Sequence, residues 1–302
     1  MVTRLTTSTN RSTAAYPDGP VPVSILIPTK NEAQNIEACI ATVRWAGEIV
    51  VFDSCSIDGT QDIARRSGAI VETFKYAPGE PKKKNWALTH YPFRHDWILI
   101  LDADEHIPPA LAREIDDVVS SSRPEVGYYI NRRFYFLGRW IRHAGYYPSW
   151  NLRLLRRGAG LYESIPDHEG VAGDNEVHEH ILLKGRAGHL KEAMDHYAFP
   201  SVYTFVEKHN RYSSWEASVA HTYLNSVVAG NEMAMSLRAR RTAKRFARYM
   251  PFPDVTRFVF HYFIKLGFLD GKEGYLLCRL LAEYEFLISA KRIAAAAKER
   301  TK

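Results

Sequence analysis

Short apolar runs, each stopping on a polar or acidic residue, recur through the first 110 residues of this 302-residue chain. Val23-Ser-Ile-Leu-Ile-Pro28 leads into the polar turn Thr29-Lys-Asn-Glu32 and then into apolar positions at Ile36, Cys39, Ile40 and Val43, a strand followed by a helix. Glu48-Ile-Val-Val-Phe-Asp53 is a second strand that ends on a carboxylate. Ser54 to Thr60 is a polar loop before a helix holding Ile63 and Ala64, and Ala69 to Phe74 supplies a third strand. Ile98 to Leu101 has no alternation, the pattern of a central strand covered on both faces, and it stops at Asp102-Ala-Asp-Glu105 before Pro108-Pro109 opens a helix. Alternating strands and helices predict an α/β layer with a mostly parallel sheet, in which ligands bind beyond the carboxyl ends of the strands. Asp53, Asp102 and Asp104 all fall on that edge.

A period of two puts Asp102 and Asp104 on one side of the strand end, where a hard cation such as Mg²⁺ or Mn²⁺ could sit between them and a polyphosphate. Read blandly, the same acids favour the N-terminus of the next helix. Pro81-Lys-Lys-Lys-Asn-Trp-Ala-Leu88 sets a basic cluster at a helix start, a place suited to a phosphate. Lys82 and Lys83 read as a solvated basic face, and Lys84 as the candidate for a diphosphate.

Further along, Gly127 to Phe136 is aromatic and β-prone, and its Arg132-Arg133 pair needs no role beyond exposure. Leu137 to Tyr147 is dense in Arg and aromatic residues, and Trp140 and Trp150 are read as core rather than as sugar platforms. Arg238, Arg241, Arg245 and Arg248 recur at helical spacing, and from Val255 to Leu269 a single helix is expected. Phe258, Val259, Tyr262, Phe263 and Leu266 would form its apolar face, with Arg257, His261 and Lys265 on another stripe. That pattern suits an interfacial helix on an anionic membrane, or a helix packed on the domain or on a second subunit. A third segment runs from Tyr275 to Ile288.

Composition is that of a globular chain, 46% hydrophobic and 25% charged. A net charge of +6 points to an acidic partner without choosing among nucleic acid, anionic lipid and a phosphorylated small molecule. The three cysteines, Cys39, Cys55 and Cys278, lack CxxC or Cys/His spacing, which fits structural thiols in a reducing compartment and excludes a zinc motif. Met1 to Pro20 reads as a disordered tail without signal peptide or anchor, and no run of about 18 uncharged apolar residues suggests a simple transmembrane helix.

Four motifs together resemble the family 2 glycosyltransferases with the GT-A fold, particularly the bacterial lipopolysaccharide-core glucosyltransferase-like branch. They are Ser24-Ile-Leu-Ile-Pro-Thr-Lys-Asn-Glu32, Val50-Val-Phe-Asp-Ser-Cys-Ser-Ile-Asp-Gly-Thr60, Lys84-Asn85 and Leu101-Asp-Ala-Asp-Glu105. Asn151-Leu-Arg-Leu-Leu-Arg-Arg157, Val177-His-Glu179 and Asp195-His196 before a helix from Ser201 also resemble that branch. The resemblance implies that Thr29, Glu32 and Asp53 hold the nucleotide, with Asp53 reading the uracil edge of a UDP-sugar. It implies that Asp102 contacts ribose or metal, that Asp104 ligates the metal, and that Asp58-Gly-Thr60 shapes the second loop. An inverting transferase needs one base for the acceptor hydroxyl, and Glu179 is assigned that role, with Asp167, Glu169 and Glu176 as rivals in a loop longer and more acidic than the branch leads one to expect. His178 or His180 could complete the metal shell or contact the diphosphate.

The expected organisation is a tail (1–20), a GT-A domain (21–222, with a nucleotide half to 110 and an acceptor half beyond), and a basic, amphipathic helical region (223–302). The expected activity is metal-dependent transfer of a sugar from a nucleotide-diphosphate donor to a lipid-linked or lipopolysaccharide-core saccharide, at the inner face of the cytoplasmic membrane and without nucleic acid as partner. A nucleotidyltransferase would use the same acids and metal, but the loop from Thr29 to Asn35 has no glycine to wrap a triphosphate. A non-catalytic module binding membrane or nucleic acid through its Arg stripe would leave acids at three strand ends unexplained.

Overall fold

The computed structural model describes residues 15–77, 81–163, 180–225 and 252–300. The amino-terminal half alternates as the pattern predicts: β1 (Val21–Thr29), α1 (Ile36–Ala41), β2 (Ala46–Asp53), α2 (Thr60–Arg66), β3 (Ile70–Thr73), α3 (Lys83–His90), β4 (Trp97–Ile100), the short β5 (Glu105–His106) and α4 (Pro109–Val119). The chain continues with β6 (Gly127–Phe136), β7 (Arg139–Trp140), β8 (Trp150–Arg156), β9 (Gly160–Tyr162), β10 (Ile181–Leu183), β11 (Ala187–Phe199) and α5 (Val202–Asn225).

Among the described residues one sheet runs β3-β2-β1-β4-β8-β6-β11-β5, with β7 pairing β6. The first four strands are mutually parallel, β8 is antiparallel to both its neighbours, and β11 is parallel to β6. Both faces are covered, which is why β1 and β4 show no hydrophobic alternation. Ile25, Ile27 and Leu99 pack on one side with Leu111, Ala112 and Ile115 of α4. Leu26, Ile98 and Ile100 pack on the other with Ala87 and Leu88 of α3. Pro109 opens α4, its missing N–H costing nothing at a helix start.

The carboxy-terminal region is α6 (Pro253–Val259), a π-helical turn (Phe260–Ile264), a 3-10 turn (Gly267–Asp270) and α7 (Gly271–Arg300). The single helix expected from Val255 to Leu269 is therefore broken, because Leu266 takes a left-handed conformation (φ 57°) that no α-helix accommodates. Its basic stripe is also largely spent inside the protein. His261 turns its Nδ1 to the Ala144 carbonyl at 2.7 Å, and Arg257 pairs with Glu285. Phe258 and Tyr262 pack against a third core of Phe134, Phe136, Phe205, Leu277, Cys278 and Leu281, so α7 shares a core with β6 and α5. The mixed sheet flanked by helices, with a helical carboxy-terminal extension, is the GT-A architecture that the resemblance implies.

Candidate active site

The loops after β1 and β2 are knitted together by short polar side chains. Asn31 holds a left-handed backbone (φ 56°), accepts from the Ile57 N–H at 3.1 Å and donates its own N–H to Ser56 at 2.7 Å. Asp58 accepts from Ala33 N–H and from both the N–H and the hydroxyl of Thr60, while Thr60 in turn accepts from Glu32 N–H at 2.8 Å. Asp53 is fully buried at the end of β2. One oxygen accepts from Thr29 Oγ1 (2.9 Å) and Ser56 Oγ (2.5 Å), the other from Ser56 N–H (2.8 Å) and Gln61 Nε2 (2.7 Å). Thr29 and Asp53 are thus brought together, with Glu32 at the loop's half-buried end. Burial raises the Glu32 carboxyl above its ordinary range against its hydrogen bond from Asn35, and Asp104 and Asp102 push the same way as burial.

Beyond β4 the chain makes a tight turn, the Glu105 N–H donating to the Asp102 carbonyl at 2.9 Å. Ala103 and Glu105 are buried, while Asp102 and Asp104 are each partly exposed. Arg153 of β8, 5% exposed, donates from Nη2 to Asp102 Oδ2 at 2.5 Å and to Glu105 Oε1 at 2.7 Å. Glu105 is fully buried; its Oε2 accepts the Asp102 N–H at 2.9 Å, and Arg132 approaches its Oε1 at 3.4 Å. Lys84 Nζ lies 3.6 Å from Asp102 Oδ1 and 5.1 Å from the Tyr162 ring centroid. Burial alone would raise the Asp102 carboxyl; Arg153 and then Lys84 outweigh it and hold the group well below the usual carboxylate range.

Asp104 faces the opposite wall. His196 Nε2 of β11 lies 3.5 Å from its Oδ1, and Lys208 Nζ of α5 lies 3.9 Å from its Oδ2. Burial opposes ionisation here too, and His196 followed by Lys208 overcomes it, keeping Asp104 below its ordinary value. Of this pair the carboxylate is the donor type that suits Mg²⁺ or Mn²⁺, and the imidazole beside it is a softer donor. Among the described residues no group of three His, Cys, Asp or Glu side chains converges as a metal cage. A cation at Asp104 and His196 would therefore need further ligands from a diphosphate, the mode usual for Mg²⁺ with nucleotides.

Several expectations change. Lys83 is not on a solvated face but buried, donating to the Thr29 carbonyl and to Ser54 Oγ, each at 2.8 Å, because α3 starts directly against the ends of β1 and β2. Arg132 and Arg133 are engaged rather than merely exposed, Arg133 Nε standing 2.7 Å from Asp195. Trp150 is 40% exposed, and Trp140 carries the Arg142 guanidinium 4.3 Å from its ring centroid, so neither is simple core. Glu179, His178 and the rival bases Asp167, Glu169 and Glu176 lie outside the described residues. Arg153, His196 and Lys208 went unassigned from sequence. Arg153 and His196 both fall in stretches that resemble the branch, and an Arg interrupting the apolar run of β8 is a charge that a buried strand tolerates only opposite an acid.

Residues 24–158 match the family model for Glycosyl transferase family 2. The lipopolysaccharide core biosynthesis glycosyltransferase LpsC of Rhizobium meliloti is 27% identical over 282 residues, 90% of this chain and 92% of that protein. An uncharacterized glycosyltransferase of Rickettsia bellii is 29% identical over 201 residues, 65% of this chain and 66% of its own. Among solved structures, a mannosyltransferase of Pyrobaculum calidifontis in complex with GDP-Man and Mn²⁺ aligns over 93% of this chain and 89% of its own, at 16% identity and a TM-score of 0.49. The match to the family 2 model over residues 24–158, the long relative and the motifs around Asp53, Asp102 and Asp104 agree, and the chain is a glycosyltransferase.

Proposed function

We propose that the enzyme moves a sugar, with inversion, from a UDP-sugar to a hydroxyl of a lipid-linked or lipopolysaccharide-core saccharide at the inner face of the cytoplasmic membrane. The observation that carries the reading is the strand-end pair Asp102 and Asp104, both partly exposed and both held below the usual carboxylate range, Asp102 beside Lys84 and Asp104 beside His196 and Lys208. The acceptor class is supported by the LpsC relative, which matches this chain nearly end to end. Residues 21–110 serve the donor, 111–222 the acceptor, and 223–302 the membrane side.

Thr29, Glu32 and Asp53 line the nucleotide end, Asp53 facing the base, and Asp102 orients the ribose or shares the metal. Asp104, with His196 beside it and Asp102 or His178 in support, would hold Mg²⁺ or Mn²⁺, which when bound neutralises charge on the departing diphosphate. Lys84 adds a fixed positive charge on the same leaving group. Glu179 takes the acceptor proton as the hydroxyl oxygen attacks the anomeric carbon from the face opposite the diphosphate; Asp167, Glu169 and Glu176 are the alternatives.

The test is calorimetric titration of UDP and GDP with and without Mn²⁺. UDP is expected to bind only with the metal, and Asp104→Ala and His196→Ala each to weaken it about tenfold or more, the loss seen on removing a metal-site group. Metal-independent binding unaffected by both variants refutes the metal assignment. No binding of either nucleotide refutes the donor assignment.

A further inference from the structure

Large apolar side chains stand exposed along one short stretch of the carboxy-terminal region, from Phe252 through Val255, Phe263 and Ile264 to Leu266 and Leu269, with exposures from 44% at Leu266 to 75% at Phe252. A soluble surface scatters such residues singly; a contiguous set marks a docking site. The local backbone explains why they point outward. The inward positions Phe258 and Tyr262 are taken by the third core, and the π-helical turn followed by the left-handed Leu266 rotates the next residues off the helical repeat. The result is an apolar elbow rather than an amphipathic cylinder.

Charge identifies what the elbow meets. Among the described residues from 252 to 272 the exposed charges are the cations Lys265 and Lys272, while Arg257 pairs with Glu285 and Asp270 is buried. Lys265 lies along the elbow with Nζ 5.5 Å from the exposed Phe260 ring, an apolar body ending in a cation. Exposed Phe, Ile and Leu with cations beside them are the composition that seats in the headgroup layer of an anionic bilayer. No helix among the described residues is long and apolar enough to cross a membrane.

The elbow is also tied to the acceptor half. Ala144 donates its N–H to the Lys265 carbonyl at 2.8 Å and accepts from His261 at 2.7 Å; Asp270 accepts from the N–H groups of Arg142 and His143. A Cβ at Gly267 would come within 2.8 Å of the His261 carbonyl and the Cys278 sulfur, so the turn closes tightly. We infer that residues 252–269 form a membrane-docking elbow that seats on an anionic lipid surface and, through the loop from Ile141 to Tyr146, sets the acceptor half at a fixed height above it. This deepens the lipid-linked acceptor reading and rests on it for its purpose, while the binding event stands by itself.

The experiment sediments the full-length protein with vesicles of phosphatidylcholine alone and of phosphatidylcholine containing phosphatidylglycerol, in low and high salt, for the wild type and for Ile264→Glu/Leu269→Glu. Both altered side chains are more than half exposed, so the fold should persist, and a UDP titration on the same samples checks it. The wild type is expected to bind the anionic vesicles only, less so in high salt, with at least about a tenfold loss in the double variant. Absence of vesicle binding, equal binding by the variant, or a wild-type dimer that the variant makes monomeric without any vesicle binding overturns the inference. Lost nucleotide binding beside intact vesicle binding instead counts against the transferase site and leaves the elbow standing.

Discussion

Replacing Arg153 with Met tests the buried network beneath the strand-end acids. The guanidinium is 5% exposed and Glu105 is fully buried, with 2.7 Å between Nη2 and Oε1. Met fills most of the volume but leaves the Glu105 carboxylate in the interior with Arg132 at 3.4 Å as its remaining cation. Breaking a buried pair from one side costs about 3–5 kcal/mol, and the partial cover from Arg132 places the expected loss near the lower end. For a chain of this size, about 3 kcal/mol lowers the melting temperature by roughly 6–12 °C. Differential scanning calorimetry reads the shift, and the companion Arg153→Met/Glu105→Gln should recover a large part of it, since removing both charges leaves no orphan. UDP affinity should fall in Arg153→Met, because Asp102 loses the group that orients it. If Arg153→Met melts within a degree of the wild type, or the double variant is no better than the single one, the ion pair is not what holds this strand end.

Two further outcomes follow from the geometry. Asn85 clasps the Tyr162 backbone with both ends of its amide, at 2.9 and 2.8 Å, tying α3 to β9; Asn85→Ala should cost about 2 kcal/mol by chemical denaturation, two hydrogen bonds' worth. His209 stacks 3.7 Å over Phe205 and is half-buried, its pKa lowered by that burial from 6.5 to about 4. A depressed pKa means the unfolded chain binds the proton first, so stability present above about pH 6.5 drains away as the pH falls toward about 4; thermal melts across that range should show the loss, and His209→Phe should flatten it.

The strand ends were legible because they depend on neighbours in sequence. Uninterrupted Ile98-Leu-Ile-Leu101 implies cover on both faces and Pro109 opens a helix, and both hold in the structure; Asp102 and Asp104 are both partly exposed, but through a turn closed by the Glu105 N–H on the Asp102 carbonyl rather than through a strand's period of two. The break at Leu266 was not legible, since the apolar repeat there fits a continuous helix and only packing against Ala144 and Cys278 selects the turn.

What the sequence by itself determined, then, was the list of acids and the edge they share, through the order of strands and helices. What only the tertiary structure decided was their partners. Asp102 finds Arg153 because β8 returns antiparallel beside β4, and Asp104 finds His196 because β11 pairs with β5. The ion pairs that those strand pairings create join residues 51 and 92 positions apart, and they set which carboxylates stay charged. Local propensity carries no information across such distances, whereas the burial and electrostatics that tune a site depend on little else.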